Sequence, residues 1–125
     1  MTLDGLIKHD VLYVDINSEV REVAKKMKEK RSGYAIIVDK NRAEGIVTRT
    51  DLVYRVLAEQ KPYSTKIREV MSHPLIVLFP EMTIDDAINA FNQHPIQRIV
   101  IVDKNTSELI GVIEKDDVFK ILSHK

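Results

Sequence analysis

The residues GIVTRTD, 45 to 51, set two hydroxyls and a carboxylate within four consecutive positions. Read as a strand end running into a helix, this turn places Thr48 beside the first unpaired N–H groups of the helix. Those donors and the helix dipole favour an anion. Asp51 adds a carboxylate that accepts two hydrogen bonds at once, which suits a pair of neighbouring hydroxyls. An arginine can pair with a phosphate through two parallel bonds. Gly33 removes a side chain where a ligand approaches closely. The same turn has a structural reading: a threonine followed three residues later by an acid resembles a capping box, although that motif proper takes Glu or Gln. Residues 111 to 117, GVIEKDD, repeat the frame with Glu114 in place of Thr48. An ionised carboxylate there repels an anion and has no hydrogen to donate.

The frame recurs because the chain is an internal duplication. IVDKN stands at 37 to 41 and again at 101 to 105, so Asp39 recurs as Asp103 and, at the same shift, His9 as His73. Val20, Val23, Ala24 and Met27 recur as Ile84, Ala87, Ile88 and Phe91, both sets at the spacing of a helix with one buried face. Beyond Asn105 the shift lengthens by two residues, in a polar turn where extra length costs little. Each half predicts β-α-β-β-α: strands over Val11–Val14 and Leu75–Leu78, helices over about Glu19–Lys30 and Thr83–Gln93, and strands over Ala35–Val38 and Ile99–Val102. Third strands span Glu44–Val47 and Leu109–Ile113, and closing helices about Asp51–Glu59 and Asp116–Leu122. Ser18 is the expected cap of the first helix, with Gly33 just past its end, and Pro95 closes the second. The reading divides the chain into a first repeat, 1–60, a linker with a short helix over Thr65–Met71, 61–73, and a second repeat, 74–125. Apolar runs such as AIIV and RIVIV predict strands covered on both faces. A half of about 60 residues is marginal alone, so the fold class expected is mixed α/β (α+β), with two repeats related by an approximate two-fold axis.

Composition narrows the classes. Nineteen basic and nineteen acidic residues cancel, which gives no electrostatic case for nucleic acid or an anionic membrane. The absence of cysteine removes disulfides and thiolate metal sites. No apolar run reaches the roughly 20 residues of a membrane span, and a cytoplasmic location is the default.

The tandem β-α-β-β-α unit, closing on G-h-h-[ST]-x-x-D, resembles a pair of CBS domains, a Bateman module, over nearly the whole chain. GIVTRTDL matches the motif, GVIEKDDV matches except at Glu114, and VMSHPLIVLFPEMTIDDA is close to the usual opening of a repeat. The resemblance implies a stand-alone regulatory module that binds an adenosine ligand (AMP, ADP, ATP or S-adenosylmethionine) in clefts between the repeats and signals to a protein partner, as a homodimer. It implies one cleft with Asp51 on ribose, Thr48 and Thr50 near phosphate, Gly33 and Tyr34 lining it, and His73, Leu78, Ile96, Gln97 and Arg98 from the other half. A second, weaker cleft takes Asp117, Glu114, Gln97 and Arg98 with His9, Val14, Ser32 and Gly33. With Glu114 where phosphate would lie, one competent cleft is expected.

Two other classes stand beside this one: a structural dimerisation module with degenerate clefts, and a nucleic-acid binder, which net neutrality disfavours. Catalytic and metal sites are not expected. Asp116 and Asp117 are adjacent and face differently on a helix, no nucleophile elbow or Walker loop is present, and His9, His73, His94 and His124 lack metal spacing. Arg49 and Lys115 could reach phosphate, but as exposed bases at helix starts they read first as solvated; the run KKMKEKR, 25 to 31, reads as a solvated face and only weakly as a polyanion site. Val53, Val56, Val118 and Phe119 read as core or dimer interface.

Overall fold

The computed structural model describes residues 2–123. They divide into two compact units, Val11–Leu75 and Met1–Asp10 joined with Ile76–Lys125.

In the Val11–Leu75 unit, β1 (Tyr13–Asp15) pairs in parallel with β2 (Tyr34–Asp39), and β2 pairs antiparallel with β3 (Arg42–Thr48). Parallel neighbours need a long crossover, and α1 (Val20–Lys30) supplies it. The i, i+3, i+7 positions Val20, Val23 and Met27 are buried with Ala35, Ile37 and Val47. The β2–β3 link instead reverses through Lys40 and Asn41, whose positive φ values of 52° and 69° suit a two-residue hairpin. Ala35 through Val38 are all buried, so both faces of β2 are covered. A last helix, α2, opens with Arg49–Asp51 and continues as a π-helical stretch over Leu52–Leu57, where the N–H of Ala58 donates to the carbonyl of Val53.

The second unit repeats the plan. It contains β4 (Val77–Leu78), α3 (Ile84–Gln93), β5 (Arg98–Val102), β6 (Leu109–Glu114) and α4 (Lys115–Ser123), with the sheet ordered β4-β5-β6. Ala87 and Phe91 of α3 pack with Ile99, Ile101, Ile113 and Val118. The duplication reaches fine detail: each sheet has a β-bulge, after Ile37 in one and after Ile101 in the other.

The units differ from the sequence division in what opens them. Residues 61–73, read as a linker, hold a 3-10 turn at Ile67–Glu69, shorter than the helix expected over Thr65–Met71. Its Ile67 and neighbouring Val70 are fully buried in the Val11–Leu75 core. The N-terminal 3-10 turn, Leu3–Leu6, lies in the other unit, where Leu3 is fully buried beside Phe91 and Ile99. The backbone bridges correspond as well. Thr2 meets Thr83 as Lys66 meets Glu19, and Lys8 meets Val112 as Ser72 meets Ile46. Each sheet is thus completed by a strap, residues 2–8 or 66–72. Burying Leu3 or Ile67 contributes about 1.5–3 kcal/mol.

The straps explain the glycines that open both GIVTRTD and GVIEKDD. A Cβ on Gly111 would lie 2.2 Å from the carbonyl oxygen of Lys8. One on Gly45 would lie 2.5 Å from Sδ of Met71 and 3.0 Å from the carbonyl oxygen of Ser72.

Two local expectations are corrected. Glu19, not Ser18, precedes α1, because the carbonyl of Ser18 accepts the strap N–H of Ile67 at 2.8 Å. The left-handed residue after α1 is Arg31 (φ 55°), not Gly33, and the N–H of Ser32 then reaches back to the carbonyl of Met27.

Candidate functional site

Thr48 ends β3 and caps α2, with extended backbone (φ −120°, ψ 170°). Its N–H donates to Oδ2 of Asp51 at 2.9 Å, its hydroxyl donates to the same oxygen at 3.2 Å, and the N–H of Asp51 donates to Oγ1 at 3.3 Å. This is the reciprocal capping box expected from the structural reading. Thr83 and Asp86 build the same box at the start of α3, with corresponding distances of 2.9, 3.1 and 3.2 Å. T-x-x-D geometry alone therefore starts helices in this chain. The turn at 48–51 differs in its surroundings: the Asp51 side chain is 13% exposed, and its second oxygen, Oδ1, faces Nε of Arg55 at 3.6 Å. Arg55 also donates to the carbonyls of Val70 and Met71, at 3.2 and 3.3 Å. Asp51 thereby orients the arginine that holds the strap. Sequence reasoning missed Arg55, although an acid and a base at i, i+4 on one helix are a legible signal.

The entry to β2 meets this turn. Tyr34 stands opposite Thr48 in the sheet register, and the N–H of Arg49 donates to the carbonyl of Gly33 at 3.1 Å. The Ser32 hydroxyl donates to the carbonyl of Tyr34 at 2.6 Å and accepts its N–H at 3.3 Å. Ser32, Gly33, Tyr34, Thr48, Thr50 and Asp51 thus share one end of the sheet, with Thr50 exposed. His73 is exposed and follows Ser72, which bridges Ile46 on β3. Val14 is 2% exposed and belongs to the core of the unit.

In the other unit the equivalent turn keeps the backbone and changes the side chains. The N–H of Lys115 donates to the carbonyl of Gln97 at 2.8 Å, as Arg49 does to Gly33. Arg98 and Glu114 occupy the register positions of Tyr34 and Thr48 and form an ion pair, Nε to Oε2, at 3.5 Å. Asp117 faces Nζ of Lys8 at 3.8 Å. His9 hydrogen-bonds through Nδ1 to the carbonyl of Ile110 at 3.3 Å. Leu78 and Ile96 pack against the core of this unit, and Gln97 is exposed. The ammonium of Lys115 sits 6.0 Å from the centre of the Phe119 ring.

Of the closing-helix residues, Val56 and Val118 are core, Phe119 packs against it, and Val53 is 47% exposed. Among the described residues no three His, Asp or Glu side chains converge as metal ligands, and no helix is long and apolar enough to cross a membrane. His124 lies outside the described residues.

The CBS domain family model matches residues 4–58 and 67–124. The uncharacterized protein MK0525 of Methanopyrus kandleri is 32% identical over 123 residues, which cover 97% of this chain and 62% of that protein; the chain thus spans about three-fifths of that relative. A CBS domain protein from Pyrobaculum aerophilum, solved in complex with AMP, superposes with a TM-score of 0.84 at 22% identity, covering 100% of both chains. The cytosolic domain of the Mg2+ channel MgtE, solved in complex with ATP, superposes with a TM-score of 0.82 at 19% identity, covering 94% of this chain and 47% of that one. At these identities the two structures establish the shared fold.

Proposed function

This chain belongs to the CBS-domain family, as two CBS domains in tandem, and on that premise we propose that it binds an adenine nucleotide and reports it to a protein partner without catalysing a reaction. The observation that carries this reading is the part-buried carboxylate of Asp51. Oδ2 is fixed by the Thr48 backbone and hydroxyl, while Oδ1 meets Arg55 beyond hydrogen-bond distance. A carboxylate oriented through one oxygen presents the other to hydroxyls, as the 2′- and 3′-hydroxyls of ribose require. Thr48 and Thr50 lie on the phosphate side, at the start of a helical run that reaches Leu57. That a structure of the same fold holds AMP supports the reading. At the equivalent turn, Glu114 both sets a carboxylate at the phosphate position and engages the guanidinium of Arg98. We therefore assign the competent half-site to Thr48–Asp51 and the weaker one to Glu114–Asp117.

A ligand reports its presence only through contacts that differ between two states. Arg55 is the group placed to change, since ribose on Oδ1 of Asp51 competes with it, and Arg55 holds Val70 and Met71.

A second reading, a structural dimerisation module, is favoured by the exposed Val53, Tyr54 and Leu57 on α2 together with Tyr63. Thermal unfolding with AMP, ADP, ATP or S-adenosylmethionine separates the two. A ligand at 100 times its Kd adds about 2.7 kcal/mol, a rise of several degrees in Tm for a domain of this size. No rise with any of the four at millimolar concentration overturns nucleotide binding and leaves the dimerisation reading.

A further inference from the structure

A groove of about 350 Å³ runs between the end of α1 and the start of α2, wholly within the Val11–Leu75 unit. Lys28, Arg31 and Arg49 stand exposed on its walls, over Met27 and Leu52. No acid lines it, and none of the three cations makes an ion pair among the described residues. Like charges gathered without a counter-charge repel, so the cluster needs a reason. The carbonyl end of α1 accounts for Lys28 and Arg31, because a helix C-terminus attracts cations. It does not account for Arg49, which occupies the first position of α2, where the helix dipole opposes a positive charge. The seat of Arg49 is specific. A Cβ on Gly33 would come within 3.0 Å of its Nη2 and 3.2 Å of its Cζ, so the absence of a side chain there lets the guanidinium lie against the entry to β2. Arg31 is turned by its left-handed backbone (φ 55°), a conformation uncommon outside glycine.

We propose that this groove is a second anion site, taking an oligophosphate, meaning two or more linked phosphate groups, on Lys28, Arg31 and Arg49. Three cations exceed what one phosphate neutralises, and the two guanidinium groups offer paired N–H donors to phosphate oxygens. Ser32 belongs to the wall and not to the binding set, because its hydroxyl is committed to the Tyr34 carbonyl. The site stands apart from the Thr48–Asp51 reading: Asp51 turns its carboxylate to Thr48 and Arg55 and is not part of the groove. Two sources supply the chemistry, a separate oligophosphate or the phosphate tail of a nucleotide held at the neighbouring turn.

The test is calorimetric titration of the full chain with sodium tripolyphosphate at low and high salt. It is repeated on Arg49→Gln, on the pair Lys28→Gln and Arg31→Gln, and on the pair Lys25→Gln and Lys26→Gln as a control from the same helix outside the groove. The expected result is saturable binding that weakens with salt, weakens about 10-fold or more in both groove variants, and is unchanged in the control. AMP and ATP titrations identify the source: the tail is the occupant if the groove variants weaken ATP and spare AMP, and a separate oligophosphate is the occupant if they spare both. Asp51→Ala keeps the two proposals distinct, since tripolyphosphate binding persists in it even where nucleotide binding is absent. No binding of tripolyphosphate, or equal loss in the Lys25 and Lys26 control, overturns the site.

Discussion

Gly111→Ala tests the account of the straps most sharply, because the structure sets its cost apart from that of Gly45→Ala. Neither glycine has a positive φ, so conformational strain does not enter. The new methyl on residue 111 would sit 2.2 Å from the carbonyl oxygen of Lys8 and 2.7 Å from Cγ2 of Ile7. A carbon and a carbonyl oxygen in contact need roughly 3.3 Å, so the strap must retreat by about 1 Å. Two hydrogen bonds hold it there, Lys8 N–H to the Val112 carbonyl at 2.8 Å and Val112 N–H to the Lys8 carbonyl at 3.0 Å. Loosening both costs about 1 kcal/mol each, and the overpacking itself about 1–3 kcal/mol, giving about 3–5 kcal/mol in all. At residue 45 the nearest atom is the sulfur of Met71, at the flexible part of an adaptable side chain, and backbone lies no closer than 3.0 Å. That substitution should cost about 1–2 kcal/mol. Urea unfolding followed by circular dichroism reads both. A Gly111→Ala variant within about 0.5 kcal/mol of the parent, the scatter of neutral surface changes, or a Gly45→Ala variant that is the worse of the two, refutes the close strap approach as the reason for these glycines.

Thr48→Ala and Thr83→Ala each remove a capping hydroxyl and should each cost about 1 kcal/mol in urea unfolding, but only Thr48→Ala should also weaken nucleotide binding; equal effects on binding contradict the assignment. Glu114→Thr removes the 3.5 Å pair with Arg98 and restores a hydroxyl to the second turn, so nucleotide stoichiometry should rise above one per chain; calorimetry showing no change contradicts the role given to Glu114. The carboxylate of Asp103 is held below its usual range by the N–H of Asn105 first and of Thr106 second. A depressed folded-state pKa contributes stability that is complete above the unfolded value and lost as pH falls through the folded one. The stability difference between the parent and Asp103→Asn should therefore hold steady at neutral pH and shrink below about pH 4; a difference that widens in acid contradicts it.

The β-α-β-β-α order and the buried faces of the helices were legible because both rest on local periodicity. The helix expected over Glu19–Lys30 agrees with α1 to within a residue, and its cap is not legible because the strap, distant in sequence, claims the carbonyl of Ser18. The same non-local strap defeated the reading of residues 61–73. Ile67 looks like a linker residue until its burial with Val23 and Val47 is seen, although its 64-residue correspondence with Leu3 was present in the sequence. At the candidate site, the pairing of Thr48 with Asp51 was legible from spacing alone. The Arg98–Glu114 pair was not, since it joins residues 16 apart that meet only through the β5–β6 register. The relation of Arg49 to Lys28 and Arg31 is not legible in the sequence, because it depends on how the end of α1 meets the start of α2.

The central claim is that a single nucleotide half-site is competent and rests on Asp51. Calorimetric titration of the parent, Asp51→Ala and Asp117→Ala with AMP, ADP and ATP tests it directly. The account predicts one nucleotide per chain for the parent, binding lost in Asp51→Ala, and affinity retained in Asp117→Ala. Two equal sites in the parent, or binding that survives Asp51→Ala and fails in Asp117→Ala, would contradict it.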